Sequence, residues 1–566
     1  MKKLWEHLLF LMIMIQLCSA QTKQSCHSAV YCQGDLLHLV QTAKIFNDSK
    51  TFVDMAMIHP LNETLKRFQL LMSENDEHPT REQIKEFVYK NFKSIGELDE
   101  YYPRDFKHEP KIIKEITDPV VRKFAQSLID IWPTLTRTVS YHVIDHPETH
   151  SLIPVPHPFV IPGGRFKELY YWDTYWILKG LLLSDMVETA RGMIQNLLSM
   201  VERFGFVPNG GRIYYLNRSQ PPLLTQMVAD YVKYTKDFEF LRNNINTLEK
   251  ELQFWLTKRL VTIEKGGKTY ELARYDSESD TPRPESYWED IETCSRLTGE
   301  KEKMYECYAD LKSGAESGMD FTSRWMFDKF GEPTGNLADI NTRRIIPVDL
   351  NGFLYKAFKV MYKFNLILQR EEEAKFWLDK ADQWKNSIEN IFYNEEDGIW
   401  YDFDEKLGKQ RKHFYVSNFL PLWAGAMDDN VKEERGRRAA EYLKKKGIVN
   451  FQGGIPSTLL QTGQQWDFPN AWPPYQNLII IGLDKSNSTE AKEVAKQLAH
   501  KWINSNIKGF HDNKAMFEKY DVQTSGQFGG GGEYNVQAGF GWSNGGILEL
   551  IHLYYRAKTR KYIGSF

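Results

Sequence analysis

Apolar residues along this chain recur mostly at helical spacing. Met193, Ile194, Leu197, Leu198, Val201 and Phe204 fall on one face of a 3.6-residue repeat until Gly205, which predicts an amphipathic helix ended by a glycine. Leu354, Ala357, Phe358 and Met361 repeat the pattern, as do Ala491, Val494, Ala495, Leu498 and Trp502. Thr80-Arg-Glu-Gln83 is a capping-box sequence ahead of Ile84, Phe87 and Val88. Strand signals are few and short; the two clearest predict strands at Arg212–Leu216 and Gly398–Phe403. Polar segments punctuated by Gly and Pro recur near residues 162, 208, 281, 314, 464 and 525. That alternation suits helical hairpins arranged around an axis, with the functional loops at one end. An ordinary helical bundle has the same periodicity.

The first residues read differently. Lys2 and Lys3 precede a mostly apolar run, Leu8–Leu17, and Cys18-Ser19-Ala20 supplies the small residues of a cleavage site. Residues 1–20 are therefore predicted to be a signal peptide, with the mature chain starting at Gln21. An apolar run of about ten residues falls short of the ~20 needed to span a bilayer. The tail Tyr554–Phe566 is basic and lacks the apolar stretch of a lipid-anchor signal. The expectation is a secreted protein with no membrane anchor. Without Cys18, four cysteines remain, and pairing neighbours in sequence gives Cys26 with Cys32 and Cys294 with Cys307. Sequons stand at Asn47, Asn62, Asn217 and Asn487, of which Asn217 lies inside a motif described below and is expected to stay unmodified.

Charge narrows the partners. The net charge of −3 gives no basic footprint for nucleic acid. No Cys-x-x-Cys pair or His-Glu-x-x-His helix suggests a metal, and no cofactor motif is complete: Gly529–Gly532 lacks the Gly-Lys-Ser/Thr of a P-loop. Gly541-Trp-Ser-Asn-Gly545 matches a nucleophile elbow in letters only, since no strand precedes it and only 21 residues follow. Ser543 is expected to cap the last helix instead. No linker interrupts the chain, so residues 21–566 are predicted to form one domain with a helical lead-in. Oligomeric state is left open.

The loops share a chemistry. Pro162-Gly-Gly-Arg-Phe-Lys-Glu-Leu-Tyr-Tyr-Trp-Asp-Thr-Tyr-Trp176 places an arginine, carboxylates and aromatic rings directly after a Gly-Gly turn. Pro208–Pro222 offers Asn209, Arg212, Arg218 and Gln220 beside paired tyrosines. Arg283–Tyr287, Glu316–Trp325, Gln464–Pro474, Phe517–Asp521 and Glu533-Tyr534 add further carboxylates, arginines and tryptophans. Aromatic faces pack on the C–H faces of a pyranose, and charged forks grip its hydroxyls. Glycoside chemistry needs two carboxyl groups flanking the bond, and about eleven candidates are present. Counting does not choose between them.

These segments closely resemble signature segments of the trehalases, over roughly residues 160–550. The match is clearest at Pro162–Tyr175, Gln465-Trp-Asp-Phe-Pro469, Ala471-Trp-Pro-Pro474 and Gly529–Tyr534. The resemblance implies an all-α fold, an (α/α)6 toroid of helical hairpins with short β-hairpins in its loops. It also implies hydrolysis of the small sugar α,α-trehalose to two glucoses with inversion. By the same resemblance Asp320 is the general acid and Glu518 the general base. Sugar contacts map onto Arg165, Trp172, Asp173, Asn209, Arg218, Ser219, Gln220, Arg283, Pro284, Glu285, Gly318 and Glu533. Arg212 and Trp466 are further contributors. Two positions depart from the family pattern: Met319 stands where Trp is usual, and Ala471 where Gly is usual.

The roles set physical requirements. Asp320 has to hold a proton near neutral pH, which calls for desolvation or a nearby negative charge, and Met319 and Phe321 are expected as its apolar walls. Glu518 has to be ionised to take a proton from water. Room for that water separates the two carboxyl groups by roughly 6.5–9.5 Å in an inverting enzyme. Arg165, Arg218 and Arg283 are expected around the sugar hydroxyls. Two other readings remain: a glucoamylase-like toroid enzyme with an open groove, and a sugar-binding protein that has lost its chemistry.

Overall fold

The computed structural model describes residues 26–297 and 301–556. The predicted signal peptide at 1–20 lies outside the described residues. Among those described, twelve helices form two concentric layers: α1 (Pro119–Ile129), α2 (Asp173–Leu183), α3 (Val187–Phe204), α4 (Leu224–Thr235), α5 (Phe238–Lys258), α6 (Val348–Ile367), α7 (Glu371–Ile391), α8 (Leu420–Ala424), α9 (Lys432–Lys445), α10 (Pro473–Asp484), α11 (Thr489–Asn513) and α12 (Gly541–Tyr554).

The even-numbered helices close a ring. Each packs on the next, from α2 to α4 to α6 to α8 to α10 to α12, and α12 returns to α2. Of the odd-numbered helices, α1, α3, α5, α7 and α11 lie against ring helices from outside, and α9 bridges α10 and α11. Burial follows this layering. Every residue of α2 and of α10 is buried, so neither has a polar face. Outer α5 buries Phe240, Leu241, Ile245, Leu248, Leu252 and Trp255 along one stripe. The fold is the (α/α)6 toroid.

Close backbone approach sets α12 against α2. A Cβ on Gly545 would overlap the Trp176 carbonyl, and one on Gly180 would stand 2.7 Å from the Cα of Gly545 and 2.5 Å from the Trp132 ring. The helix ends agree with the sequence where a specific residue marks them. Gly205 adopts φ 85° just beyond α3, and Thr80 and Gln83 make both capping-box bonds.

Strands are less legible. Arg212–Leu216 is not a strand: Arg212 makes one bridge to Leu152, and Ile213–Tyr215 is a 3-10 turn closed by Tyr215 N–H to the Arg212 carbonyl, 3.0 Å. Tyr214 and Tyr215 are both buried, which two-faced alternation does not allow. Gly398–Phe403 splits between two hairpins, Ile399–Trp400 pairing with Tyr393–Asn394 and Phe403–Asp404 with Lys409–Gln410 and Ile345–Ile346. The longest hairpin, Leu260–Lys265 with Lys268–Ala273, turns at Gly266-Gly267, both at positive φ.

A second, smaller apolar cluster lies N-terminal to the ring. Leu36, Leu37, Phe52, Phe87 and Phe92 are among its members, and it extends to Tyr170, Tyr214 and Tyr215 on the ring's loops. The two neighbouring cysteine pairs are bonded, Cys26 to Cys32 and Cys294 to Cys307.

Candidate active site

One cavity gathers loops from around the chain at the N-terminal ends of the ring helices. Its lining includes Arg165, Trp172, Asp173, Asn209, Arg218, Gln220, Arg283, Glu285, Gly318, Asp320, Glu518 and Glu533. The space outside protein atoms there, open solvent included, is about 690 Å³. Two expected contacts do not line it. Ser219 stands behind the wall, its N–H donating to Glu316 Oε1 at 2.9 Å and its hydroxyl to the Val207 carbonyl. Pro284 turns its carbonyl outward to accept from Gln41 Nε2, 2.9 Å. Arg212 is also elsewhere, pairing with Glu97 at 2.7 Å and Glu168 at 3.6 Å beneath the N-terminal cluster.

Asp320 reaches the cavity because the helix Lys301–Glu316 ends four residues earlier and Gly318 turns the chain at φ 72°. A Cβ on Gly318 would stand 2.7 Å from the Trp172 ring, so the turn and the tryptophan fit only with glycine there. Gln465 Nε2 donates to the Asp320 carbonyl at 2.6 Å, and the Trp466 N–H donates to the Phe321 carbonyl at 3.2 Å. Asp467 bonds Thr322 and Ser323 at 2.8–3.0 Å, anchoring the segment after the acid. Neither Met319 nor Phe321 lines the cavity. Met319 is wholly buried, its sulfur accepting from Arg324 Nη1 at 3.3 Å, and Phe321 packs beneath the Arg283 guanidinium.

Glu518 precedes a short strand, Tyr520–Asp521, paired with Asn470–Ala471. Tyr534 Oη donates to its Oε1 at 2.8 Å and the Gln537 N–H lies 3.4 Å from its Oε2. Trp542 Nε1 fixes the Glu518 carbonyl at 3.1 Å, and Ser543 Oγ fixes the preceding carbonyl, of Phe517, at 2.5 Å. Ser543 is thus inside α12 bracing the Glu518 loop, and it does not cap the helix.

The apolar wall is a cluster of indoles. Trp466 and Trp472 stack with centroids 4.0 Å apart, Trp172 lies 5.9 Å from Trp466 and 5.8 Å from Trp542, and all four line the cavity. On the polar side each arginine is already held. Arg218 pairs with Glu285 and donates to Asn209 Oδ1 at 3.0 Å. Arg283 forks onto Asp290 and reaches Glu533 at 3.0 Å. Arg165 forks onto Asp48 at 2.7 and 2.8 Å, a partner 117 residues away in the N-terminal cluster that no sequence signal marks. Phe166, Tyr170, Tyr215, Tyr534, Phe540 and Trp542 also line the cavity, though the sequence singled none of them out as a contact. Aromatic residues next to recognised motif positions were the available signal for them.

Titration separates the carboxyl groups by environment. Burial pushes Asp320 up to about 7, with Glu533 adding to the rise and Arg283 opposing it. Burial also pushes Glu518 up to about 7, opposed by Lys519, Tyr534, the Gln537 N–H and Arg165. Asp173 is raised as well, by burial and by the charges of Glu518 and Asp320. Those mutual effects place the three carboxyl groups within electrostatic reach of one another. The hydrogen bonding differs: Glu518 accepts from a phenol and a backbone N–H of other residues, whereas the bond acting on Asp320 comes from its own backbone. Donors to the charged form favour ionisation, so Glu518 has more support for a carboxylate and Asp320 less.

The trehalase family model matches residues 44–555. The trehalase of Tenebrio molitor is 52% identical over 95% of this chain and 97% of its own length, and that of Homo sapiens is 44% identical over 97% and 94%. Among solved structures, the neutral trehalase Nth1 from Saccharomyces cerevisiae superposes with a TM-score of 0.56 at 24% identity, covering 70% of this chain and 73% of that one; this likeness concerns the fold. The chain belongs to the trehalase family and is a glycoside hydrolase.

Proposed function

We propose that this enzyme hydrolyses α,α-trehalose to two molecules of glucose with inversion at one anomeric carbon. The observation that carries the reading is the pair Asp320 and Glu518, buried in one cavity and given different hydrogen-bond environments. Asp320, neutral, donates its proton to the bridging oxygen as the bond to the anomeric carbon breaks. A water attacks that carbon from the opposite face and gives its proton to Glu518. The indole wall presents apolar faces to the two rings, and Arg165, Arg218 and Arg283, oriented by their carboxylates, meet the hydroxyls. Asp173, at the first turn of α2, is available to a hydroxyl close to the reacting carbon.

The same reading includes secretion. Two disulfides between neighbouring cysteines fit an oxidising compartment, and exposed Asn47, Asn62 and Asn487 are the sequons open to modification, while Asn217 is half-buried against the site loops.

Proton NMR of the first turnovers tests the mechanism. Equal initial α- and β-glucose is expected. Formation of α-glucose alone would overturn inversion, and absence of turnover would overturn the substrate.

A further inference from the structure

Lys519 follows the proposed base in the chain, has no exposed surface and makes no ion pair among the described residues. It does not line the active-site cavity. An ammonium buried in this way is costly unless hydrogen bonds and nearby charges hold it. Its Nζ donates to the Gly531 carbonyl at 3.0 Å. It also stands over two rings of the cavity wall, those of Trp472 and Tyr534, with centroids 5.3 and 5.9 Å away.

The bond to Gly531 is one of several that fasten the glycine run 529–532 to the Glu518 segment and its neighbours. The Lys519 carbonyl accepts from the Gly529 N–H at 3.0 Å. Asn470, on the strand paired with Tyr520–Asp521, donates from Nδ2 to the Gly530 carbonyl at 2.9 Å and accepts from the Gly530 N–H at 3.0 Å. The Gly532 N–H donates to the Gly463 carbonyl at 3.0 Å, and a Cβ on Gly531 would overlap that carbonyl. The run leads straight into Glu533 and Tyr534, which reach Arg283 at 3.0 Å and Glu518 at 2.8 Å. Of these anchors Lys519 alone carries a charge.

We infer, on the reading that Glu518 is the base, that Lys519 is its positioning residue: the ammonium ties down the glycine run so that Tyr534 meets the carboxylate, and its charge, behind the cavity wall, favours the form that takes a proton from water. Several elements face Glu518. Arg165 comes from the Gly-Gly turn and Asp173 from α2, while Tyr534 and the Gln537 N–H donate to it. Lys519 is the largest of the influences opposing the rise that burial causes there. The same ammonium acts on Asp320, whose carboxyl answers chiefly to burial, Arg283 and Glu533. Burial pushes Lys519 itself down to about 8, with Glu518 and Asp320 opposing, so its charge is present on the acidic side of neutrality.

The test is the pH profile of kcat/KM for trehalose in the whole enzyme. Lys519→Gln keeps a donor for Gly531 and removes the charge, Lys519→Met removes both, and Lys519→Arg keeps both. Losing a neighbouring positive charge raises the pKa of Glu518, so the acidic limb moves to higher pH. A shift of about one unit is expected for Lys519→Gln, the low end of the ~1–3 units found for a carboxyl beside a cation. Lys519→Met should shift the limb further, and Lys519→Arg should leave it near the wild-type position. An unmoved limb in Lys519→Gln or in Lys519→Met, each checked as folded by its Tm, would overturn this role. So would activity lost by one factor at every pH, which is what a merely structural lysine would give. Glu518→Gln separates the two readings. If it keeps near-normal turnover, Glu518 is not the base; if it is inactive while the limb of Lys519→Gln stays in place, the role of Lys519 alone fails.

Discussion

The two ends of the ring axis hold the same chemical ingredients in different arrangements. At the foot, Asp230 of α4 and Glu549 of α12 share the ammonium of Lys179 of α2 within 3.0 Å. At the head, Asp173, Asp320 and Glu518 share a cavity with three arginines, yet none of the three carboxylates makes an ion pair among the described residues. Those arginines belong to other carboxylates: Arg165 to Asp48, Arg218 to Glu285, Arg283 to Asp290 and Glu533. The difference is one of assignment. Pairing the cations elsewhere leaves burial as the largest influence on the head carboxyl groups, and two of them are driven up to about 7, where donating or accepting a proton is feasible at neutral pH. At the foot the Lys179 ammonium opposes the rise that burial causes at Asp230.

This contrast can be broken by variants at either end. The largest effect is expected at the head: Glu518→Gln should lower glucose release from trehalose about 1,000-fold, within the usual range for loss of an acid–base group, while calorimetry still detects sugar binding. Near-normal turnover would move the base to another residue. At the foot, Lys179→Met leaves Asp230 and Glu549 buried without their shared cation and should destabilise the fold by about 3–5 kcal/mol. Chemical denaturation measures this, and the pH profile of the remaining activity should be unmoved. A shifted profile would show that the two ends are not independent. The smallest effect concerns Tyr534→Phe. Its hydroxyl donates to the charged form of Glu518, so removing it raises the pKa of that carboxyl. The acidic limb of kcat/KM should move to higher pH by about one unit, given ~1.5–3 kcal/mol for a hydrogen bond to a charged group. Activity at pH 5–6 then falls more than at pH 7. An unmoved limb would mean that Glu518 is not the group titrating there.

Much of this was legible in the sequence, for physical reasons that differ by element. Outer-layer helices such as α3 and α11 announce themselves through one-sided apolar stripes. The ring helices α2 and α10 are buried all round and have no stripe to read, so periodicity could not separate a toroid from a bundle. The loops carried dense motifs, and twelve of the fourteen expected site residues do line one cavity. Ser219 and Pro284 stand behind the cavity wall, because adjacent residues in a turn face opposite ways. Asp48 was invisible, since an ion pair spanning 117 residues leaves no local trace. Lys179 and its partners at the foot were equally silent, because they converge only when six helices close on an axis.

The turn from Gln464 to Pro474 touches both proposed proton-transfer groups. Gln465 and Trp466 bond the chain at Asp320 and Phe321, and Asn470 and Ala471 pair with the strand that follows Glu518. A displacement of this turn therefore carries both carboxyl groups in the same direction. It is a common-mode movement, and the gap between them changes less than either position does. Thermal motion or substitutions that shift the rim can then be tolerated as long as this one piece of chain stays intact. Conversely, a change inside the turn alters the gap itself, the quantity on which room for the attacking water depends.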